Sequence, residues 1–201
     1  MTSHPGPQRR AAVTVPGDDE IRALHERFAP DPMSFELVWT HCRIVCEIAE
    51  QLLTGGEDRG LVRAGALLHD IGVHRLARGE AYIRHGLLGH ELLSSLGMPE
   101  PLARFCSHHT GVGITRDDVR GQGLPLPPAD YLAETPEETL VMYADKFHSK
   151  TTPPRFVTAS SYARLLARFG DDKQARFAEL VGHYGEPRLD ALAERYGHEL
   201  H

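Results

Sequence analysis

Histidine and aspartate stand side by side at His69-Asp70, where the small and apolar run Ala64-Gly65-Ala66-Leu67-Leu68 gives way to Ile71-Gly72. Leu67 and Leu68 are oily enough to be buried, and Ala64, Gly65 and Ala66 are small enough to let a second helix come close. Gly72 is placed to take the left-handed conformation that ends a helix. His69 and Asp70 then sit in the last buried turn. A buried carboxylate is costly unless it is paired or metal-bound. Beside an imidazole, a metal satisfies it directly, and a closed His–Asp pair is the structural alternative.

Other ligand types recur where helical spacing turns them inward. The chain has 13 histidines in 201 residues. A helix over about Met33 to Leu53 repeats Val38, Cys42, Val45, Ala49 and Leu52 on one face, which His41, Ile44 and Ile48 widen. The helix carrying His69-Asp70 runs from about Asp58. A third, from about Arg84 to Leu96, puts His85, Gly89, Leu92 and Leu96 on one stripe and leaves His90 off it. Pro99 suits the first turn of a fourth, in which Leu102, Phe105, Cys106 and His109 share the buried face, with His108 beside Pro101 and Arg104. After Pro136, Asp145 shares a face with Val141 and His148. Four imidazoles (His41, His69, His85, His109) and two carboxylates (Asp70, Asp145) suit iron, manganese or zinc better than calcium. Six ligands exceed one tetrahedral site, and two metals sharing Asp70 use them all.

Composition narrows the class. Lys plus Arg total 22 against 28 Asp plus Glu, a net charge of −6. That argues against nonspecific nucleic-acid or membrane-surface partners. No apolar run approaches the ~18 residues of a membrane span, and the N-terminus has no apolar signal core. Cys42, Cys46 and Cys106 lie inside helical patterns, as reduced core thiols of a cytoplasmic protein would. Residues 1–17, with Pro5, Pro7 and Pro16, read as a flexible arm. No alternating strand pattern is present. Residues 18–201 therefore read as one all-α domain, a helical bundle with the metal site between its core helices. Its motif-bearing core spans about 33–150. C-terminal helices over 155–201 complete the bundle or serve an interface, as in a homo-oligomer. The Gly- and Pro-rich segment from Gly111 to Pro136 starts near His109 and returns near Asp145, so it is expected to form a rim or lid over the site.

The ordered set His41 … His69-Asp70 … Asp145 resembles the HD-domain superfamily of metal-dependent phosphohydrolases. Leu68-His69-Asp70-Ile71-Gly72 resembles its HDIG subgroup. His85-Gly86-Leu87-Leu88-Gly89, His108-His109-Thr110 and Tyr143-Ala144-Asp145-Lys146 resemble the later motifs of binuclear members. The similarity is nearest to small uncharacterised HDIG proteins, through His109-Thr110-Gly111-Val112-Gly113-Ile114-Thr115. The resemblance implies that His41, His69, Asp70 and Asp145 hold one metal and that His85 and His109 hold a second, with Asp70 bridging. His108 rivals His109, and the buried stripe favours His109. Iron or manganese is the first expectation, with zinc, nickel, cobalt or magnesium as alternatives.

Two departures qualify this. Val73 and then His74 stand where a lysine often follows the HDIG motif, and no Gly-Tyr-Pro signature follows His109, which argues against cyclic-di-GMP as substrate. The implied activity is hydrolysis of a phosphate ester or anhydride of a small metabolite or nucleotide through a metal-activated hydroxide. Arg75, Arg78, Arg84, Lys146 and His148 are candidate phosphate contacts. Besides Asp70, His74 and His108 are candidate catalytic groups, as proton carriers. The alternative implied by the family is a mixed-valence di-iron oxygenase acting on a small phosphonate- or polyol-like substrate. A regulatory module with a structural metal is a third reading.

Overall fold

The computed structural model describes residues 14–201, so the expected arm lies almost wholly outside the described residues. Ten α-helices are present among these residues: α1 (Asp18–Phe28), α2 (Pro32–Leu52), α3 (Arg59–Leu68), α4 (His85–Ser95), α5 (Glu100–Ser107), α6 (Arg116–Gly121), α7 (Pro136–Ala144), α8 (Ala159–Leu166), α9 (Asp171–Tyr184) and α10 (Asp190–Tyr196). The fold is all-α in class. Local chemistry sets several starts. Asp31 accepts from the Ser34 amide ahead of Pro32, Asp58 accepts from the Gly60 and Leu61 amides, and Thr135 accepts from the Glu138 amide ahead of Pro136. Each caps a donor the first turn cannot pair, and proline at the first helical position gives up none.

Helices α2, α3, α5 and α7 share one core, in which Ile44, Ile48, Leu68, Phe105, Val141 and Tyr143 are fully or almost fully buried. All three cysteines are buried free thiols. At Gly65 a Cβ would collide with the Phe105 ring, so α5 seats its aromatic directly on the α3 backbone.

Gly72 works differently from the sequence expectation. Its φ is not positive. Helix α3 ends at Leu68, His69 caps it, and Asp70 leads into a 3-10 turn over Ile71–Arg75. A Cβ on Gly72 would collide with the His85 carbonyl and the Gly89 amide and stand 2.7 Å from Gly89 Cα. Backbone-to-backbone packing of this turn on α4 is what excludes a side chain.

A small sheet, absent from the sequence expectation, joins the end of the motif-bearing region to the C-terminus. β1 (His148–Ser149) pairs antiparallel with β2 (Arg155–Phe156), and β2 pairs parallel with β3 (Glu199–Leu200). Two-residue strands carry no alternation for a sequence pattern to reveal. The segment 111–136 also departs from expectation. Ile114, Val119 and Tyr131 form a satellite cluster with Ile83, Leu124, Leu126 and Ala129. Arg84 donates to the Pro125 carbonyl at 3.1 Å, and Lys173 pairs with Asp118 at 2.5 Å. The segment is thus packed on the turn Tyr82–Arg84 and on α9. No described helix is long and apolar enough to cross a membrane.

Candidate metal centre

Six side chains from five parts of the chain converge. His41 comes from α2, His69 and Asp70 from the end of α3, His85 from the start of α4, His109 from beyond α5, and Asp145 from the end of α7. They form two groups. The donor atoms of His41, His69, Asp70 and Asp145 lie within 4.8 Å of one another, as do those of Asp70, His85 and His109. Asp70 belongs to both, and its oxygens divide between them. Oδ2 lies 3.1 Å from His41 Nε2 and 3.4 Å from His69 Nε2, while Oδ1 lies 3.3 Å from His85 Nε2 and 3.6 Å from His109 Nε2. Asp145 Oδ1 is 3.0 Å from His41 Nε2 and 3.5 Å from His69 Nε2.

Proton bookkeeping at these atoms shows that the site fits a cation. His69, His85 and His109 each turn Nδ1 to a main-chain carbonyl: Ala66 at 2.7 Å, Tyr82 at 2.6 Å and Phe105 at 3.0 Å. A carbonyl only accepts, so each Nδ1 carries the hydrogen, and in a neutral ring Nε2 is left with its lone pair. His85 Nε2 and His109 Nε2 nevertheless face each other at 3.0 Å. Burial lowers the pKa of both, and His69 and His85 help hold His109 well below the usual imidazole range. Two neutral acceptors and the buried Asp70 Oδ1, which has no hydrogen-bond partner among the described residues, therefore share one space with no donor among them. A metal ion supplies what all three lack.

The first group shows the same preference for positive charge. Burial would suppress the charged form of His69, yet the carboxylates of Asp70 and Asp145 hold its pKa well above the usual value. Burial would raise both carboxyls. Lys150 and His69 instead keep Asp70 well below the carboxylate range, and Lys146 and His41 do the same for Asp145.

The remaining sequence candidates are placed elsewhere. His108 lies 3.7 Å from Glu138 Oε2 and joins the Arg104–Glu138 network, outside both groups. His74 is buried with Nε2 3.1 Å from Nδ1 of His25, a histidine that sequence reasoning passed over although α1 buries it completely. Arg75 and Arg78 are exposed. Arg84 pairs with Glu80 at 2.5 Å. Lys146 donates to the His109 carbonyl at 2.9 Å and to Asp145 at 2.7 Å, tying together two segments that bring residues to the cluster. His148 contacts His41, Nδ1 to Nδ1, at 2.8 Å.

A cleft of about 720 Å³ reaches this centre at Asp145. Its walls include Tyr82, Lys146, His148, Lys150, Arg155, Ser161, Tyr162 and Leu165. Lys150 pairs with Asp70 and stands 5.9 Å from the Tyr82 ring centre. None of residues 111–136 lines this cleft, so the expected lid does not cover it, and α8 with the β1–β2 hairpin supplies the wall. Lys150, Arg155 and Tyr162 were missed because they lie past the last motif, on elements whose packing no local pattern announces.

The HD domain family model matches residues 38–150. The chain belongs to the HD-domain family. That is the metal-dependent phosphohydrolase superfamily its motifs resemble, and the matched span carries all six converging residues. An uncharacterized protein of Methanocaldococcus jannaschii, MJ0778, is 43% identical over 116 residues, covering 55% of this chain and 65% of that protein. A tRNA (cytidine(56)-2'-O)-methyltransferase of Picrophilus torridus is 33% identical over 67% of this chain and 37% of its own length. One from Thermoplasma volcanium is 30% identical over 77% and 38%. The HD-domain chain thus spans under two fifths of the methyltransferases. Among solved structures, the HD domain of L. monocytogenes phosphodiesterase PgpH with cyclic-di-AMP aligns at TM-score 0.48 and 18% identity, over 82% of this chain and 96% of that one.

Proposed function

We propose that this HD-domain protein is a phosphohydrolase that cleaves a phosphate ester or anhydride of a small metabolite or nucleotide, using two divalent transition metals. The observation that carries the reading is the pair of donor groups sharing Asp70, with acceptors and no donors in the second, at the end of a cationic cleft. His41, His69, Asp70 and Asp145 would hold one metal, and Asp70, His85 and His109 a second. Bound there, the metals supply a water of lowered pKa and charge to offset the phosphoryl oxygens.

The protein's own residues set the substrate. Lys146, Lys150 and Arg155 outnumber Asp145 on the cleft wall, in a chain of net charge −6, so the local field draws an anion inward. Lys146 and Lys150 are engaged by Asp145 and Asp70, whereas Arg155 makes no ion pair among the described residues. One unengaged guanidinium fits one phosphoryl group better than a polyphosphate. The rings of Tyr82 and Tyr162 with Val157 and Leu165 give the organic part an apolar wall, and the volume suits a molecule of nucleotide size. A preference for modest substrate charge rests on Arg155, since Asp117, Asp118 and Asp130 of the 111–136 segment are not on this wall. The methyltransferase activity named for the longer relatives is not carried over, because this chain aligns with only a minor part of them.

The test joins metal analysis to a screen for phosphate release over nucleoside monophosphates and sugar phosphates, with oxygen uptake followed in parallel. Close to two transition metals per chain and phosphate release without oxygen uptake are expected. Substrate-dependent oxygen uptake would convert the assignment to the oxygenase reading.

A further inference from the structure

The matched family span ends at residue 150, yet the tail beyond it reaches back to a ligand of the centre. His41 Nδ1 lies 2.8 Å from His148 Nδ1, and His148 Nε2 lies 3.0 Å from His198 Nδ1. The three rings form one continuous chain from the buried His41 to the half-buried His198, with centroid spacings of 5.1 Å at both steps. Each ring has two nitrogens, and both nitrogens of His148 are used.

Several contacts fix the far end. The His201 amide donates to the Phe156 carbonyl at 3.0 Å, and the Thr158 amide donates to the His201 carbonyl at 2.7 Å. Tyr196 Oη and Arg195 both reach Glu47 at 2.6 Å, on the same helix α2 that carries His41. The tail is therefore clamped to α2 and to the hairpin on either side of His198. Phe156 packs edge-on against His148 at 5.0 Å between centroids, which restricts the ring to this orientation.

We propose that His148 and His198 are positioning residues for the metal centre: the C-terminal tail sets the tautomer and angle of His41 through a histidine relay. The inference rests on the metal reading of His41. A ligand that presents a lone pair at Nε2 must carry its hydrogen at Nδ1. His41 Nδ1–H then donates to His148 Nδ1, whose Nε2–H donates to His198 Nδ1. Any other assignment that keeps Nε2 of His41 free places two hydrogens or none between a pair of rings. The relay also gives His148, a candidate phosphate contact by sequence, a different task.

The amide side chains separate this role from mere packing. Asparagine places Oδ1 where histidine has Nδ1, so it keeps the acceptor at either position, and leucine removes it. The probe is Co(II) alone, titrated against a competing chelator, with the melting temperature of the chelator-treated protein recorded beside it. His148→Leu is expected to weaken Co(II) binding about 10- to 100-fold, the usual effect of losing a ligand's outer hydrogen-bond partner. His148→Asn is expected to restore most of it. His198→Leu is expected to weaken binding in the same direction by less, and His198→Asn to stay near wild type. His198 is half-buried at the edge of the fold, so that pair reads the relay even if His148→Leu fails to fold. Equal affinity in wild type, His148→Leu and His198→Leu overturns the relay while leaving the metal reading intact. Equal loss in the leucine and asparagine variants also overturns it. A wild-type protein that binds no Co(II) overturns the metal reading and the relay with it.

Discussion

Gly72→Ala tests whether the two halves of the centre are held together by backbone packing. The added Cβ would stand 2.7 Å from Gly89 Cα and collide with the His85 carbonyl and the Gly89 amide. Carbon atoms in contact sit about 3.5–4.0 Å apart, so the 3-10 turn and α4 must part by roughly 1 Å. Neither neighbour is a side chain that can rotate away. The cost falls at or above the top of the ~1–3 kcal/mol typical of overpacking. The same movement carries His85 away from Asp70, because the obstructing carbonyl is that of His85 itself. Metal ligands tolerate displacements of only about 0.2 Å. The first group does not use α4, so it keeps its spacing. Gly72→Ala is expected to lower the melting temperature clearly, drop metal content from two per chain toward one, and lose phosphate release. Plasma emission spectrometry and a thermal melt read both effects. A variant with full stability and two metals would refute the argument that this glycine sets the distance between the groups.

Three further outcomes follow from the same geometry. Asp70→Ala is expected to deplete both metals and abolish activity, with Asp70→Asn nearly as damaging because a neutral amide bridges poorly; metal analysis showing both ions retained would remove Asp70 from the bridging role. Arg155→Ala is expected to raise KM about 10- to 100-fold, as for a lost charge-assisted hydrogen bond, with little change in kcat or metal content, and steady-state kinetics on any substrate found will show whether the loss falls in kcat instead. The last concerns pH: burial, opposed by the Leu67 carbonyl, pushes the His25 pKa from 6.5 down to about 4. The folded state thus excludes a proton that the unfolded chain takes up below pH 6.5. This contribution is intact above 6.5 and is lost as pH falls toward 4, by roughly 3 kcal/mol. Denaturant titrations of chelator-treated wild type and His25→Asn should diverge in slope across that window, and parallel curves would show that His25 is not the group responsible.

The six converging residues were legible because each continues the apolar spacing of a helix, on that helix or within two residues of its end. Burial of a polar residue among Val38, Cys42 and Val45, or among Leu102, Phe105 and Cys106, is visible in spacing alone. The structure brings His109 and not His108 into the cluster, the side the i+7 spacing from Leu102 indicates although α5 itself ends at Ser107, and His108 meets Glu138 instead. Gly72 was noticed for a valid reason and assigned the wrong one. A sequence shows that a residue lacks a side chain, but a left-handed φ and a close backbone approach leave the same mark, and only the packing of α4 separates them.

The cleft was not legible, and the cause is general to sites of this kind. Ligands must be buried, so they inherit the periodicity of the helices that bury them. Residues that meet substrate must stay reachable, so they fall on short hairpins and helix edges where no periodicity operates. Arg155 is an exposed arginine between Pro154 and Phe156, indistinguishable in sequence from Arg75 or Arg78, which face solvent away from the cleft. The Gly- and Pro-rich segment 111–136 had the composition of a lid and anchors near His109 and Asp145. Yet Ile114, Val119 and Tyr131 give it an apolar cluster of its own, which docks it on Ile83 and leaves the mouth to α8 and the hairpin. Anchor points constrain where a segment begins and ends; its buried side chains decide which way it folds between them.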